Sequence, residues 1–274
     1  MGKFDGILLC SDLDGTLFTK DRQVSSENQA AIRYFIGEGG RFTFATGRGL
    51  GTLNQVLAKI TPNAPLICYN GSGIYDPATD QLIWETKLDH NAGAVLDFVT
   101  QNFASAGIEI CLSHDVVFCR ENRYTQIYRR NEGISSDVVN HQNVTEPWRK
   151  VVFMVEEEEM ASFQALINSS PFAGQYDFIR SSRHFYEMLP KGASKGAALD
   201  VLASHLGILP ENTIGVGDHE NDISLLQHAG IGVAVANAQP ILLDLADFIT
   251  ADHDNHAIAA VIYGLEQGKI LKIR

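Results

Sequence analysis

Basic residues are scarce in this 274-residue chain: 21 Lys and Arg stand against 33 Asp and Glu, a formal net charge of −12. That balance argues against a general binder of nucleic acid or of an anionic membrane, since both need a basic face. A small anionic ligand remains compatible, because a few local cations outweigh a distant net charge. Cysteine is sparse as well. Cys10, Cys68, Cys111 and Cys119 form no CxxC pair and no zinc-like spacing. This excludes a disulfide knot and reads as free thiols in a reducing cytoplasm. No stretch approaches the roughly 18 uninterrupted apolar residues of a membrane helix. The early run Ile7–Cys10 is bracketed by Asp5 and Asp12, so no signal-peptide core is expected. Internal repeats and low-complexity segments are absent, and the acidic run Glu156–Glu159 reads as a solvated helix start. What remains is an ordinary globular composition, 45% hydrophobic, long enough for one large or two modest domains.

The first third alternates strand and helix. Ile7–Cys10 is continuously apolar, the mark of a strand covered on both faces of a parallel sheet. Ser25 or Ser26 caps a helix to about Glu38, which Gly39-Gly40 ends. RFTFA (41–45) predicts a strand, 52–60 a helix and PLICY (65–69) a third strand turning at Asn70-Gly71, with a hairpin across DPATD. The final third resumes the alternation: a helix after Ser194, strands at 213–216, 231–236 and 248–250, and helices at about 222–229, through 241–245 and at about 257–267. Between about 85 and 190 strands predominate and come in pairs (108–112 with 116–119, then 151–155 and 185–189), with helices near 92–104 and 158–167. The expectation is a doubly wound, Rossmann-like α/β core (1–84 and 190–274) interrupted by an inserted α+β domain (85–189).

The chemistry-bearing residues sit where such a sheet presents them. Asp12-Leu13-Asp14-Gly15-Thr16 follows the first buried strand, and ligands of α/β sheets bind outside the carboxyl ends of strands. In an extended chain Asp12 and Asp14 share a face about 6.6 Å apart, which suits one carboxylate to an electrophilic phosphorus and the other to its leaving oxygen. Gly15 permits a sharp turn and Thr16 can cap the next element. An Asp-Gly turn with a solvated neighbour is the plainer reading of these five residues. Three further places answer them. Thr46-Gly47-Arg48 follows RFTFA and offers a hydroxyl and backbone N–H groups to a phosphoryl oxygen. Its glycine spacing misses GxGxxG, because Thr52 stands where the third glycine belongs, so a dinucleotide site is not expected. Lys195 opens a helix, where the dipole disfavours a cation unless an anion faces it. Gly217-Asp218-His219-Glu220-Asn221-Asp222 follows 213–216, and Asp218 and Asp222 join Asp12 as hard oxygen ligands for Mg²⁺.

In that order the segments DLDGT (12–16), the Thr of ATGR (46), the Lys of GASKG (195) and GDHEND (217–222) resemble the four motifs of the haloacid-dehalogenase-like hydrolases. The strand pattern and the insert are similar to the Cof-like phosphatases with a large type IIB cap, and the likeness spans essentially the whole chain. It implies Asp12 as nucleophile forming an aspartyl-phosphate, and Asp14 as the acid and then the base. Thr46 and Lys195 would hold phosphoryl oxygens. Mg²⁺ would be held by Asp12, the backbone carbonyl of Asp14, and Asp218, with Asp222 assisting. The stretch 251–257 (ADHDNHA) lacks the glycine expected before the last helix.

Gly47, Arg48, Asn70 and Asn221 are further candidates for contact with the phosphate or leaving group; structural roles for Arg48 and Asn70 are equally open. Arg180, Arg183 and His184 precede the strand that leads back to the core, and all three are candidates for reading the organic part of the substrate, against ordinary surface charges. Tyr124, Tyr128, Arg129 and Arg130 fall on a helical spacing. His219, beside Asp218, could contact substrate but reads first as a solvated loop residue. The resulting expectation is an Mg²⁺-dependent phosphomonoester hydrolase, cytoplasmic, acting on a small phosphorylated metabolite, a sugar phosphate foremost. It has no nucleic-acid or membrane partner and is a monomer or weak homo-oligomer. Two alternatives stand beside it: a sugar phosphomutase, whose second phosphate would need arginines such as Arg120, Arg123, Arg129 and Arg130, and a non-catalytic Mg²⁺-dependent binding module.

Overall fold

A computed structural model describes residues 2–270. The chain divides into two compact units. One takes the chain through Gly47, Gln55–Trp84 and the chain from Ser194 on; the other takes Arg48–Asn54 and Glu85–Ala193.

The first unit opens with β1 (Leu8–Ser11), α1 (Ser26–Gly37) and β2 (Arg41–Phe44). Every residue of β1 is buried, as its unbroken apolar run requires of a strand covered on both faces. The Ser25 hydroxyl caps α1 by accepting from the Asn28 amide. α2 (Leu50–Leu57) begins in the second unit and ends in the first. β3 (Leu66–Cys68) meets the parallel sheet only through one bridge between Ala45 and Ile67. It then turns antiparallel onto β4 (Gly73–Asp76), and with β5 (Gln81–Glu85) makes a separate three-stranded sheet. PLICY is therefore a strand that leaves the doubly wound sheet instead of extending it.

The second unit contains α3 (Ala92–Asn102), β6 (Gly107–Cys111), β7 (Val116–Arg120), α4 (Arg123–Glu132), β8 (Lys150–Met154), α5 (Met160–Asn168), β9 (Asp177–Arg180) and β10 (Phe185–Leu189). Its strands form one antiparallel sheet in the order β7-β6-β8-β10-β9. The two-residue period of a strand divides its side chains. Ile108, Ile110, Val151, Phe153, Tyr186 and Met188 pack into an apolar cluster with residues of α3 and α5. Glu109, Cys111, Lys150 and Glu187, at the alternate positions, are also buried but polar.

The chain then returns through α6 (Lys195–Leu206), β11 (Thr213–Gly217), α7 (Ile223–His228), β12 (Ile231–Val235), α8 (Pro240–Leu245), β13 (Phe248–Thr250) and α9 (Ala257–Glu266). The core sheet is parallel, in the order β13-β12-β11-β1-β2. The chain leaves β1 for β2 on one side and comes back to β11 on the other. The carboxyl ends of β1 and β11 thus lie together at the point where the winding reverses, which is where open α/β sheets bind ligands. The residue before α9 is His256, at φ +61, in the left-handed conformation for which the sequence led us to expect glycine. Histidine is among the residues that take this conformation more readily than most.

Candidate active site

Asp12 is the first residue past β1, and its amide donates to the carbonyl of Val216 in β11 at 2.8 Å. The chain then closes a tight ring in which the Leu13 carbonyl accepts from the amides of Leu17 at 3.0 Å and Phe18 at 2.8 Å. Gly15 has φ +88, and a Cβ there would stand 2.5 Å from Oδ2 of Asp218. Only glycine lets the first acidic loop come this close to the one after β11. Thr16 does not cap a helix; its hydroxyl donates to Oδ1 of Asp218 at 2.8 Å. Asp14, a member of this ring, is exposed.

Lys195 is the first residue of α6, whose N-cap Ser194 accepts from the Ala197 amide at 3.1 Å. Its side chain is buried, and Nζ donates to Oδ1 of Asp12 and to Oδ1 of Asp222, each at 2.6 Å. Burial alone would discourage the ammonium; Asp12 and Asp222 outweigh it and hold the lysine charged well above its ordinary range. Oδ2 of Asp222 accepts from the amides of Asp218 at 3.0 Å and His219 at 3.1 Å. Asp222 therefore orients Lys195 and shapes its own loop.

Asp12, Asp218 and Asp222 each offer a carboxylate oxygen within 4.8 Å of the others, the one such metal-competent group among the described residues. Burial, reinforced by the charge of Asp222, pushes the Asp12 carboxyl well above the carboxylate range despite Lys195. The same two causes push Asp218 up to about 7. Three crowded carboxylates facing one ammonium leave the site short of positive charge. A hard divalent cation with oxygen ligands fits that deficit.

The loop after β2 brings the phosphate-binding candidates of this unit together. The Thr46 carbonyl accepts from the Asn70 amide at 2.9 Å. A Cβ on Gly47 would lie 3.0 Å from Nδ2 of Asn70. Nδ2 of Asn221 donates to Oδ1 of Asn70 at 3.0 Å, while Oδ1 of Asn221 is buried with no hydrogen-bond partner. Tyr69 and Asn70 both have positive φ, +53 and +56. Consecutive left-handed non-glycine residues store strain of the kind found at functional sites.

The arginines are placed differently. Arg48 belongs to the second unit, where Nη1 pairs with Oε2 of the buried Glu132 at 2.9 Å. Arg180 ends β9 and folds back on the turn: Nε donates to the Ser182 carbonyl and Nη2 to that of Arg183, both at 3.2 Å. Arg183 is exposed. Sequence reasoning missed Asn237 and His253. Nδ2 of Asn237 donates to the Gly15 carbonyl at 2.8 Å, its Oδ1 accepts from the His253 amide at 2.9 Å, and Nδ1 of His253 lies 2.8 Å from the Phe18 carbonyl. Their signal was position alone: polar residues just past β12 and β13, at the carboxyl edge of the sheet.

A family model described as haloacid dehalogenase-like hydrolase matches residues 9–262. The putative phosphatase YxeH of Bacillus subtilis is 30% identical over 96% of this chain and 99% of its own. The HMP-PP phosphatase of Serratia proteamaculans is 31% identical over 87% of this chain and 86% of its own. Among solved structures, a haloacid dehalogenase-like hydrolase from Bacteroides thetaiotaomicron superimposes with a TM-score of 0.82 at 24% identity, covering 96% of this chain and all of that one. The subclass IIB sugar phosphatase BT4131 gives 0.83 at 23% identity over 95% and 99%. These two show the fold.

Proposed function

The chain belongs to the haloacid dehalogenase-like hydrolases and is a phosphatase, and we propose that it releases inorganic phosphate from a small phosphomonoester, with Mg²⁺ as cofactor and a sugar or polyol phosphate as the substrate class. The observation that carries this reading is the Lys195 ammonium between Asp12 and Asp222, 2.6 Å from each. It neutralises a carboxylate that would otherwise repel an incoming phosphate dianion.

In the proposed reaction Asp12 attacks phosphorus, and the bond to the substrate alcohol breaks as Asp14 gives that oxygen a proton. Water then attacks the aspartyl-phosphate, Asp14 takes a proton from it, and Asp12 and inorganic phosphate are released. Thr46, Gly47 and Lys195 hold the phosphoryl oxygens, and Asn70 and Asn221 brace them. Mg²⁺, held by Asp12, Asp218 and the Asp14 carbonyl with Asp222 in support, supplies charge neutralisation when bound. Residues 85–189 are the insert that reads the organic part of the substrate, with Arg183 as the exposed candidate. Four free cysteines accord with a cytoplasmic setting, and among the described residues no helix is long and apolar enough to cross a membrane.

A hydrolase is favoured over a phosphomutase because two of the arginines a second phosphate would need are spent on structure. Arg120 donates to the carbonyls of Thr100, Phe103 and Ala104, and Arg129 binds Glu121 and the Ser136 carbonyl. The deciding experiment is phosphate release from a panel of phosphorylated metabolites with Mg²⁺. Activity is expected to vanish in EDTA and in Asp12→Asn. Full activity in either removes the metal or the nucleophile, and isomerised product with a bisphosphate activator would establish the mutase.

A further inference from the structure

We propose that Asn237 and His253 are positioning residues that together clamp the loop carrying Asp14. The loop is a closed ring from Leu13 to Phe18, tied by the Leu13 carbonyl and by a bridge between Asp14 and Phe18. Its inner side rests on Asp218, through Thr16. Two of its carbonyls are each held from another loop: that of Gly15 by Nδ2 of Asn237, that of Phe18 by Nδ1 of His253. A carbonyl only accepts, so Nδ1 of His253 carries a proton. The two clamps are joined by the His253 amide donating to Oδ1 of Asn237. A second tie comes from the same turn, where the Gln239 amide donates to the Asp218 carbonyl at 2.9 Å.

The residues after β12 therefore fasten both acid-bearing loops, and Asn237 fixes the peptide plane immediately after Gly15. That glycine, at φ +88, is the flexible joint next to Asp14. Its catalytic consequence rests on Asp14 as the acid of the reaction proposed above. A proton donor helps only when held within hydrogen-bond reach of the leaving oxygen. A loosened joint should therefore harm leaving groups that need a proton and spare those that do not.

The experiment compares wild type, Asn237→Ala, His253→Ala and the double variant on glycerol phosphate and on p-nitrophenyl phosphate with Mg²⁺. Expected for Asn237→Ala on glycerol phosphate is a kcat about 3- to 10-fold lower, the worth of one hydrogen bond, with KM within about 2-fold. The pre-steady-state burst of nitrophenolate, which needs no acid, keeps its rate. The double variant falls little below the worse single one, because the two residues act as a unit. Amide hydrogen exchange at Leu17 and Phe18 quickens in Asn237→Ala. Unchanged exchange there, or equal losses on both substrates, overturns the clamp. Asp14→Asn in the same assay tests the underlying reading separately: if it shows no dependence on the leaving group, Asp14 is not the acid, and exchange at Leu17 and Phe18 still decides whether Asn237 holds the loop.

Discussion

The Thr16 hydroxyl donates to Oδ1 of Asp218 at 2.8 Å, joining residues 202 positions apart in the chain. With Gly15 lying against the same carboxylate, this bond locks the loop after β1 to the loop after β11. It also favours the ionised form of Asp218 against the burial that disfavours it.

Replacing Thr16 by Val keeps the shape and removes the donor. Asp218 then becomes a poorer oxygen ligand, and the Mg²⁺ concentration for half-maximal activity should rise roughly 5- to 10-fold. A Mg²⁺ titration of activity checks this. An unaltered titration would mean that Asp218 does not hold the metal or that the hydroxyl does not orient it.

Lys195→Met tests the buried ammonium. It leaves Asp12 and Asp222 crowded without their shared counter-charge, and uncompensated buried charge costs about 3–5 kcal/mol. In EDTA the urea midpoint should fall accordingly, and Mg²⁺ should restore part of the loss by binding the folded state. Phosphate release should be lost in all conditions. A midpoint equal to wild type would show that the two carboxylates share the site without needing the lysine.

Glu109 gives a pH dependence of stability. Burial pushes its carboxyl up to about 7, with Lys150 opposing and Glu187 and Glu132 adding to it. Cys111 donates to its Oε1 at 3.2 Å, and Oε2 has no partner. The folded state holds this proton more tightly than the unfolded chain does. Stability from this group is therefore complete below about 4.5 and declines as pH rises to about 7, by on the order of 3 kcal/mol. Glu109→Gln should flatten that part of the stability profile measured by denaturant at several pH values. A variant whose profile runs parallel to wild type would refute the assignment.

Much of the core was legible because parallel strands buried on both faces announce themselves as unbroken apolar runs, and the four motifs follow such runs or open a capped helix. The same logic explains what was missed. β9 (DFIR) is four half-buried residues with a charge at each end, too short and polar to stand out. Arg48 reads as an extension of Thr46-Gly47, yet its pairing with Glu132 is set by residues 84 positions away that no local pattern reveals. Asn237 and His253 lie in turns whose spacing means nothing until β12 and β13 are placed beside β11. The stretch 251–257 lacks the glycine expected before the last helix; His256 takes the left-handed conformation there, with Nδ1 2.9 Å from the Ser25 hydroxyl oxygen.

The two arginines of the turn after β9 should separate cleanly. Arg180 spends its guanidinium on the carbonyls of Ser182 and Arg183, and is tied to the turn that leads into β10. Arg180→Ala should lower the melting temperature, by the worth of about 1 kcal/mol for partly exposed hydrogen bonds, and slow all substrates alike if the loosened turn disturbs β10. Arg183 is exposed and has no such role. Arg183→Ala should leave the melting temperature unchanged. If it reads the organic part of the substrate, the order of preference among phosphorylated metabolites should change while hydrolysis of p-nitrophenyl phosphate stays near wild type. An unchanged order would return Arg183 to the solvated surface and leave substrate reading to other residues of the insert.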